Sequence, residues 1–199
     1  METNIKEESR LKFAFPEKNK VIKFDATDFY RDYFNKLPEA KGVDFISVGK
    51  KEIAFIEVKN CTGDEGNCRW RIAPDNKKRD TTHTTVNVDG RDSLDIEVAQ
   101  KVAMTIAALN GAKSFEDRKE CVKELNPFYK FMTNDSISAD EKRKYVILFL
   151  EGDFGCESRS KKMIMQSLQD SMNKKLQWLN CRVSVVDSDT YDSKIFQIV

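Results

Sequence analysis

The sequence has almost no excess of charge of either sign, and this absence excludes one kind of partner interaction. Its 199 residues carry 34 lysines and arginines against 33 aspartates and glutamates, which gives a formal net charge of +1. A histone-like or broadly adhesive nucleic-acid binder needs a global positive field, and this chain lacks one. Any contact with nucleic acid therefore has to come from a local basic patch.

Long apolar runs, a signal peptide and closely spaced metal-binding cysteines are also missing. The apolar runs are much shorter than a bilayer span, so we expect no membrane segment. The single histidine, His83, lies in a polar threonine-rich stretch and is more simply an incidental residue than a general base. We expect reduced thiols and a cytoplasmic location because the cysteines form an odd, scattered set without zinc-site spacing; they are Cys61, Cys68, Cys121, Cys156 and Cys181.

A length of 199 residues is most economically one domain over residues 1–199, either α/β or α+β. Residues 1–20 are predicted to be an edge strand or a loosely held arm, and residues 20–24 a short extended lead-in. The nearly continuous apolar run at 145–152 is typical of a strand covered on both faces. With the helix that follows and a second strand at 181–187, it forms a parallel βαβ unit. The predicted helices cover residues 27–37, 93–110, 115–125 and 158–179.

Residues 42–60, GVDFISVGKKEIAFIEVKN, contain the strongest indication of chemistry in the sequence. Two strand-like runs flank a short turn, which predicts a β-hairpin. In the second run Glu57 and Lys59 lie on the same face as Ile53 and Phe55. Asp44 begins the first run, so the hairpin brings Asp44, Glu57 and Lys59 to one end of a sheet. Two carboxylates and a lysine there indicate a site for a divalent metal ion.

Asp44, followed thirteen residues later by Glu57-Val58-Lys59, resembles the motif of the PD-(D/E)XK nuclease superfamily. Val43 stands where that motif has proline. The resemblance spans about residues 26–150 in element order, although only three side chains carry it. It implies an α/β fold with a central mixed β-sheet flanked by helices, namely a restriction-endonuclease-like αβββαβ core with an added C-terminal α-β.

The resemblance also implies an activity, a cofactor and roles for the motif residues. The expected enzyme is a Mg²⁺-dependent endo- or exodeoxyribonuclease, with Mn²⁺ as a substitute ion. Asp44 and Glu57 are the expected metal ligands, together with the backbone carbonyl of Val58. Lys59 is expected to position the attacking water and to hold negative charge on the phosphate.

Further candidates come from neighbouring elements. Members of the superfamily often add an acid from the first helix, for which Asp28 is our choice over Asp32 and Glu39, and a Gln or Lys from a later helix, for which Gln100 and Lys101 are available. A basic loop is expected to bind DNA phosphates or stack a base, although nearby acids make a plain solvated loop equally reasonable; its residues are Arg69, Trp70, Arg71, Lys77, Lys78 and Arg79.

Two alternatives remain open from the sequence. The charged residues of the hairpin could form an ion pair across two strands without any metal. The chain could also be a binding or interaction module on a nuclease-like fold without catalytic activity. The apolar segment at 191–199 is either a last strand or a contact in a homodimer.

Overall fold

The structure is a computed structural model that describes residues 4–69, 71–75, 92–115, 118–155 and 158–199. Within these ranges the strands are β1 Asn4–Glu8, β2 Leu11–Phe15, β3 Lys20–Lys23, β4 Phe45–Val48, β5 Glu52–Asn60, β6 Arg143–Glu151, β7 Arg182–Val186 and β8 Gln197–Ile198. The α-helices are α1 Asp28–Asp32, α2 Glu65–Cys68, α3 Leu94–Lys113, α4 Asn126–Met132 and α5 Lys161–Lys175. Short 3-10 helices cover Phe24–Ala26, Phe34–Lys36, Glu120–Leu125 and Gln177–Leu179.

The larger sheet contains five strands in the order β3-β4-β5-β6-β7. β4 is antiparallel to both of its neighbours, β3 and β5. β5, β6 and β7 are parallel to one another. The long crossovers that parallel strands require contain α3 and α5. The α/β class with a mixed sheet is therefore correct, and so is the parallel βαβ unit formed by β6, α5 and β7.

The two faces of this sheet are covered differently. Apolar residues of α3, α4 and α5, such as Val102, Phe128 and Leu168, pack in one core with Phe55 and Leu148 of the sheet. On the opposite face the sheet packs against a smaller sheet of order β1-β2-β8. Helices therefore flank the large sheet on one face only, because the layer on the other face is made of strands.

The small sheet is formed by the two terminal segments of the sequence. β2 pairs with β1 on one side and with β8 on the other, so residues 11–15 are neither a loose arm nor an edge strand. Phe13, in β2, packs against Phe45, Phe149 and Phe196 with ring centroids 5.2 to 5.6 Å apart. The segment at 191–199 contributes β8 and the buried Phe196, so its strand interpretation is correct.

Several element boundaries differ from the predictions. The expected lead-in at 20–24 is β3, a member of the large sheet that precedes α1. The expected helix at 27–37 is only five residues of α-helix and then a 3-10 turn, with Thr27 as its N-cap. The helix α3 continues through Gly111 to Lys113.

The region predicted as a helix at 115–125 and an irregular link is also different. A 3-10 helix at Glu120–Leu125 leads directly into α4, and Pro127 lies in the first turn of α4. Proline is tolerated there because the first N–H groups of a helix have no partner within the helix. None of the described helices combines the length and apolar character that a membrane crossing needs.

Candidate functional site

The end of the β4–β5 hairpin brings Asp44 and Glu57 together. Phe45 pairs with Ile56 in the antiparallel register, so the next pair outward is Asp44 opposite Glu57. The N–H of Val58 donates a hydrogen bond of 2.7 Å to Oδ2 of Asp44, which fixes the carboxylate against β5. Since the N–H and C=O of one strand residue point to the same edge of the strand, we expect the carbonyl of Val58 on the edge that faces β4.

Glu57 is fully buried, and its two carboxylate oxygens have different surroundings. Oε1 lies 2.8 Å from Nζ of Lys59 and 2.6 Å from Nζ of Lys101. Oε2 is buried and has no hydrogen-bond partner among the described residues. An unpaired carboxylate oxygen in the interior loses its hydration without compensation. The Glu57 carboxylate is therefore half satisfied by ammonium groups and half free for another ligand.

The helix α3 supplies the third side of the site through two residues one turn apart. Lys101 lies 4.0 Å from Oδ1 of Asp44, and Oε1 of Glu97 lies 3.7 Å from Nζ of Lys59. The other oxygen of Glu97 accepts a short hydrogen bond from the guanidinium of Arg71. This spacing of four residues places Glu97 and Lys101 on the same helix face, towards the sheet.

The pKa values in this cluster follow from burial and neighbouring charge. Burial, and secondly the charge of Glu57, raise the pKa of Asp44 from 3.8 to about 7. Burial disfavours the charged form of Glu97, yet Lys59 and Arg71 outweigh it and lower the pKa of that carboxyl. Burial likewise opposes the charge on Lys101, and the carboxylates of Glu57 and Asp44 outweigh it and raise the pKa of the lysine. The neighbouring cations thus compensate for the burial of the Glu97 carboxylate, whereas they do not compensate for the burial of the Asp44 carboxylate.

A second set of acids adjoins Asp44 on the side of the small sheet. Carboxylate oxygens of Glu8, Asp25 and Asp44 lie within 4.8 Å of one another, which is close enough for all three to bind one cation. Oδ1 of Asp25 is buried without a hydrogen-bond partner among the described residues, and burial raises the pKa of this carboxyl. Among the described residues, Lys23 is the cationic side chain closest to these three acids, with its Nζ 2.6 Å from Glu8.

The charges of the whole site can be counted from these contacts. Five carboxyl groups face four cationic side chains, so the fully ionised site has a formal charge of −1. The acids are Glu8, Asp25, Asp44, Glu57 and Glu97, and the cations are Lys23, Lys59, Arg71 and Lys101. The site is therefore short of positive charge, and the shortage lies at Asp44 and Asp25, the acids with raised pKa values.

Other residues predicted for the site lie elsewhere. Asp28 forms an exposed salt bridge of 2.5 Å with Arg31 on α1 and is not among the acids that the structure groups with Asp44. Asp25, in the 3-10 turn just before α1, is the acid from this region that reaches Asp44. The side chain of Gln100 is exposed and accepts a hydrogen bond from Lys41, whereas its neighbour Lys101 is at the centre of the site.

The predicted basic loop is described only in part. Arg69 is exposed, and Arg71 is held by Glu97 with 12% of its side chain accessible, so Arg71 is an internal ion-pair partner. Trp70, Lys77, Lys78 and Arg79, with His83, lie outside the described residues.

A disulfide closes the segment that follows β5. Cys61, one residue past the end of β5, is bonded to Cys68 at the end of α2, with a Cα–Cα distance of 6.3 Å. The expectation of reduced thiols is wrong for this pair, because a short loop and helix bring two cysteines seven residues apart into bonding range. Cys121 and Cys181 are free, and Cys156 is outside the described residues.

Glu8 and Glu97 are site residues that the sequence did not reveal. Glu8 comes from a different sheet, and only the packing of the small sheet on the large one places it at Asp44. For Glu97 a signal existed, because it lies four residues before Lys101 in a helix predicted to pack on the sheet.

The geometry defines a class of site, namely a buried carboxylate pair at a sheet end, flanked by two lysines and further acids. The chain belongs to a family of unknown function, DUF6661, whose model matches residues 27–199. No curated protein and no solved structure matches the chain.

Proposed function

We propose that this chain is a metal-dependent nuclease that hydrolyses phosphodiester bonds in DNA and has a restriction-endonuclease-like core. The observation that carries the proposal is the position of Asp44, held by the N–H of Val58 beside Glu57 at one end of the hairpin, with Lys59 and Lys101 bound to the same oxygen of Glu57. The five-stranded order, with an antiparallel hairpin followed by a parallel strand after α3, supports this core.

The donor set fits a hard divalent cation such as Mg²⁺. Asp44 and Glu57 are the proposed ligands with the carbonyl of Val58, and Asp25 and Glu8 add oxygen donors next to Asp44. The unpartnered oxygens of Glu57 and Asp25 would gain a partner, and the raised pKa of Asp44 indicates an acid that lacks nearby positive charge. When bound, Mg²⁺ lowers the pKa of a bound water and neutralises charge on the phosphate.

The side chains of the chain itself supply positioning and charge. Hydrolysis forms a bond between a water oxygen and phosphorus and breaks the bond from phosphorus to one ester oxygen. The attacking water gives up a proton to solvent, and the departing oxygen takes one up from solvent. Lys59, held between Glu57 and Glu97, points its ammonium group into the site, where it orients the water and stabilises negative charge on the phosphate. Arg71 fixes Glu97 and so positions Lys59 without contacting the substrate itself.

The test is cleavage of single-stranded and plasmid DNA with Mg²⁺ or Mn²⁺. Wild type is expected to cleave, and Asp44→Asn and Lys59→Gln are each expected to lose about 100-fold or more in rate. Glu141→Gln is the matched control, because Glu141 forms an exposed surface pair with Lys51. Cleavage that persists in both site variants, or its absence in wild type on every substrate, would sink the proposal.

A second candidate is a binding module without catalysis. It is favoured by the double ammonium contact to Oε1 of Glu57, which satisfies that oxygen as a buried ion pair without any metal. Calorimetric titration separates the two candidates. Mn²⁺ binding that is lost in Asp44→Asn excludes the metal-free module, and no measurable binding by wild type favours it.

A further inference from the structure

A groove of about 760 Å³ lies on the helix side of the large sheet, at the end opposite to Asp44. It is formed where the β4–β5 turn meets α4. Its rim carries four exposed lysines, Lys18, Lys20, Lys50 and Lys130. Its floor is apolar, and the side chains that line it include no carboxylate.

The four lysines have no carboxylate within salt-bridge distance among the described residues. Some lysines elsewhere in the structure are paired, for example Lys51 with Glu141 at 2.5 Å and Lys175 with Asp95 at 2.8 Å, whereas the groove brings four unpaired lysines to one concavity. Four unpaired ammonium groups around one concavity repel one another, and an anionic ligand removes that repulsion. The chain is nearly neutral overall, so this is a local patch of the kind that a polyanion recognises.

The groove and the candidate site lie at opposite ends of β3. Lys20 lines the groove at one end of this strand, and Lys23, beside Glu8, lies at the other. Three residues of extended strand cover about 10 Å. β4 spans the same interval, from Val48 in the groove to the residue after Asp44. A single strand of DNA that extends about 10 Å along this edge is therefore long enough to reach from the site to the groove.

We propose that this groove binds single-stranded DNA on its way to the Asp44–Glu57 site; this rests on the proposed nuclease function. The lysines contact phosphates. The apolar floor of Val48, Pro127 and Phe131 accepts the faces of unpaired bases, which a duplex keeps stacked inside. A duplex presents phosphates alone and leaves that floor uncovered.

The experiment measures binding of a fluorescein-labelled thymidine oligonucleotide by anisotropy, in EDTA and over a series of salt concentrations. The groove variant is Lys50→Ala/Lys130→Ala. The matched control is Lys162→Ala/Lys174→Ala, which removes two exposed lysines from α5. The groove variant is expected to bind about tenfold more weakly, and its slope of log K against log salt is expected to fall by about 1.4, the value for two lost contacts to a single strand. The control is expected to match wild type.

Binding in EDTA is independent of cleavage, so the two proposals fail separately. Wild-type affinity and slope in the groove variant would overturn the groove assignment even if the protein cleaves DNA. Equal wild-type affinities for the oligonucleotide and for a duplex of the same length would overturn the single-strand assignment, and an equal loss for a poly-glutamate peptide in the groove variant would overturn the nucleic-acid assignment. A groove-dependent affinity without cleavage in any metal would overturn the nuclease function and leave the groove assignment standing.

Discussion

The raised pKa of Asp44 predicts that the free energy of unfolding depends on pH. The folded protein holds a proton on Asp44 up to about pH 7, whereas the unfolded chain releases it near 3.8. Between these values the folded state binds more protons, so the contribution of this group to the free energy of unfolding falls as the pH rises. A difference of about three between the two pKa values corresponds to about 4 kcal/mol.

Asp44→Asn removes this titration while keeping an oxygen that can accept the hydrogen bond from Val58. In EDTA, the variant is expected to gain about 3 to 4 kcal/mol over wild type between pH 4 and pH 8, because only wild type carries the growing cost of a buried charge. Urea unfolding at pH 4, 5, 6, 7 and 8 measures this difference.

Asp28→Asn is the control for the same chemical change at an exposed position. It is expected to follow wild type within about 0.5 kcal/mol across the series. A difference between Asp44→Asn and wild type that stays constant within about 1 kcal/mol from pH 4 to pH 8 would refute the reasoning, because Asp44 would then titrate alike in both states.

Three more changes test other parts of the structure. Lys101→Met is expected to cost about 2 to 3 kcal/mol in urea unfolding at pH 7, because a buried carboxylate loses one of its two ammonium partners; a cost equal to that of the surface change Lys51→Met would contradict the buried network. Reduction of the disulfide between Cys61 and Cys68 is expected to cost about 2.5 kcal/mol, the loop entropy of a short closed loop, and an unfolding midpoint unchanged by dithiothreitol would disprove it. Phe149→Ala is expected to cost about 3 to 5 kcal/mol because the ring is fully buried between the two sheets, and a cost under 1 kcal/mol would show that this interface is not packed as described.

The elements that the sequence predicted well are those specified by local patterns. The hairpin that places Asp44 opposite Glu57 follows from alternation and a short turn, both of which can be seen within twenty residues. The apolar run of β6 predicts a strand with both faces covered, whatever the covering layer is. The sequence of β6 does not predict whether the covering layer is made of strands or helices, because both bury an apolar sheet face equally well.

The parts of the site that the sequence did not predict depend on long-range placement. Glu8 reaches Asp44 because β1 belongs to a second sheet that packs on the first, and nothing in the sequence of β1 encodes that distance. The choice between Asp25 and Asp28 depends on where α1 begins. The break after the 3-10 turn directs Asp25 inward and leaves Asp28 on the exposed face.

The pairing of β2 with β8 has a consequence for the order in which the molecule is assembled. Phe13 lies opposite Ile198 in this register, a separation of 185 residues along the chain. Contacts so distant in sequence form late, because a long loop has to close before any contact compensates for its entropy. On a ribosome, the first hairpin has to wait for β8 to emerge before the small sheet is complete. Glu8 would then be among the last groups to reach the site, and a nascent chain would carry the Asp44–Glu57 pair before it carries the full set of acids.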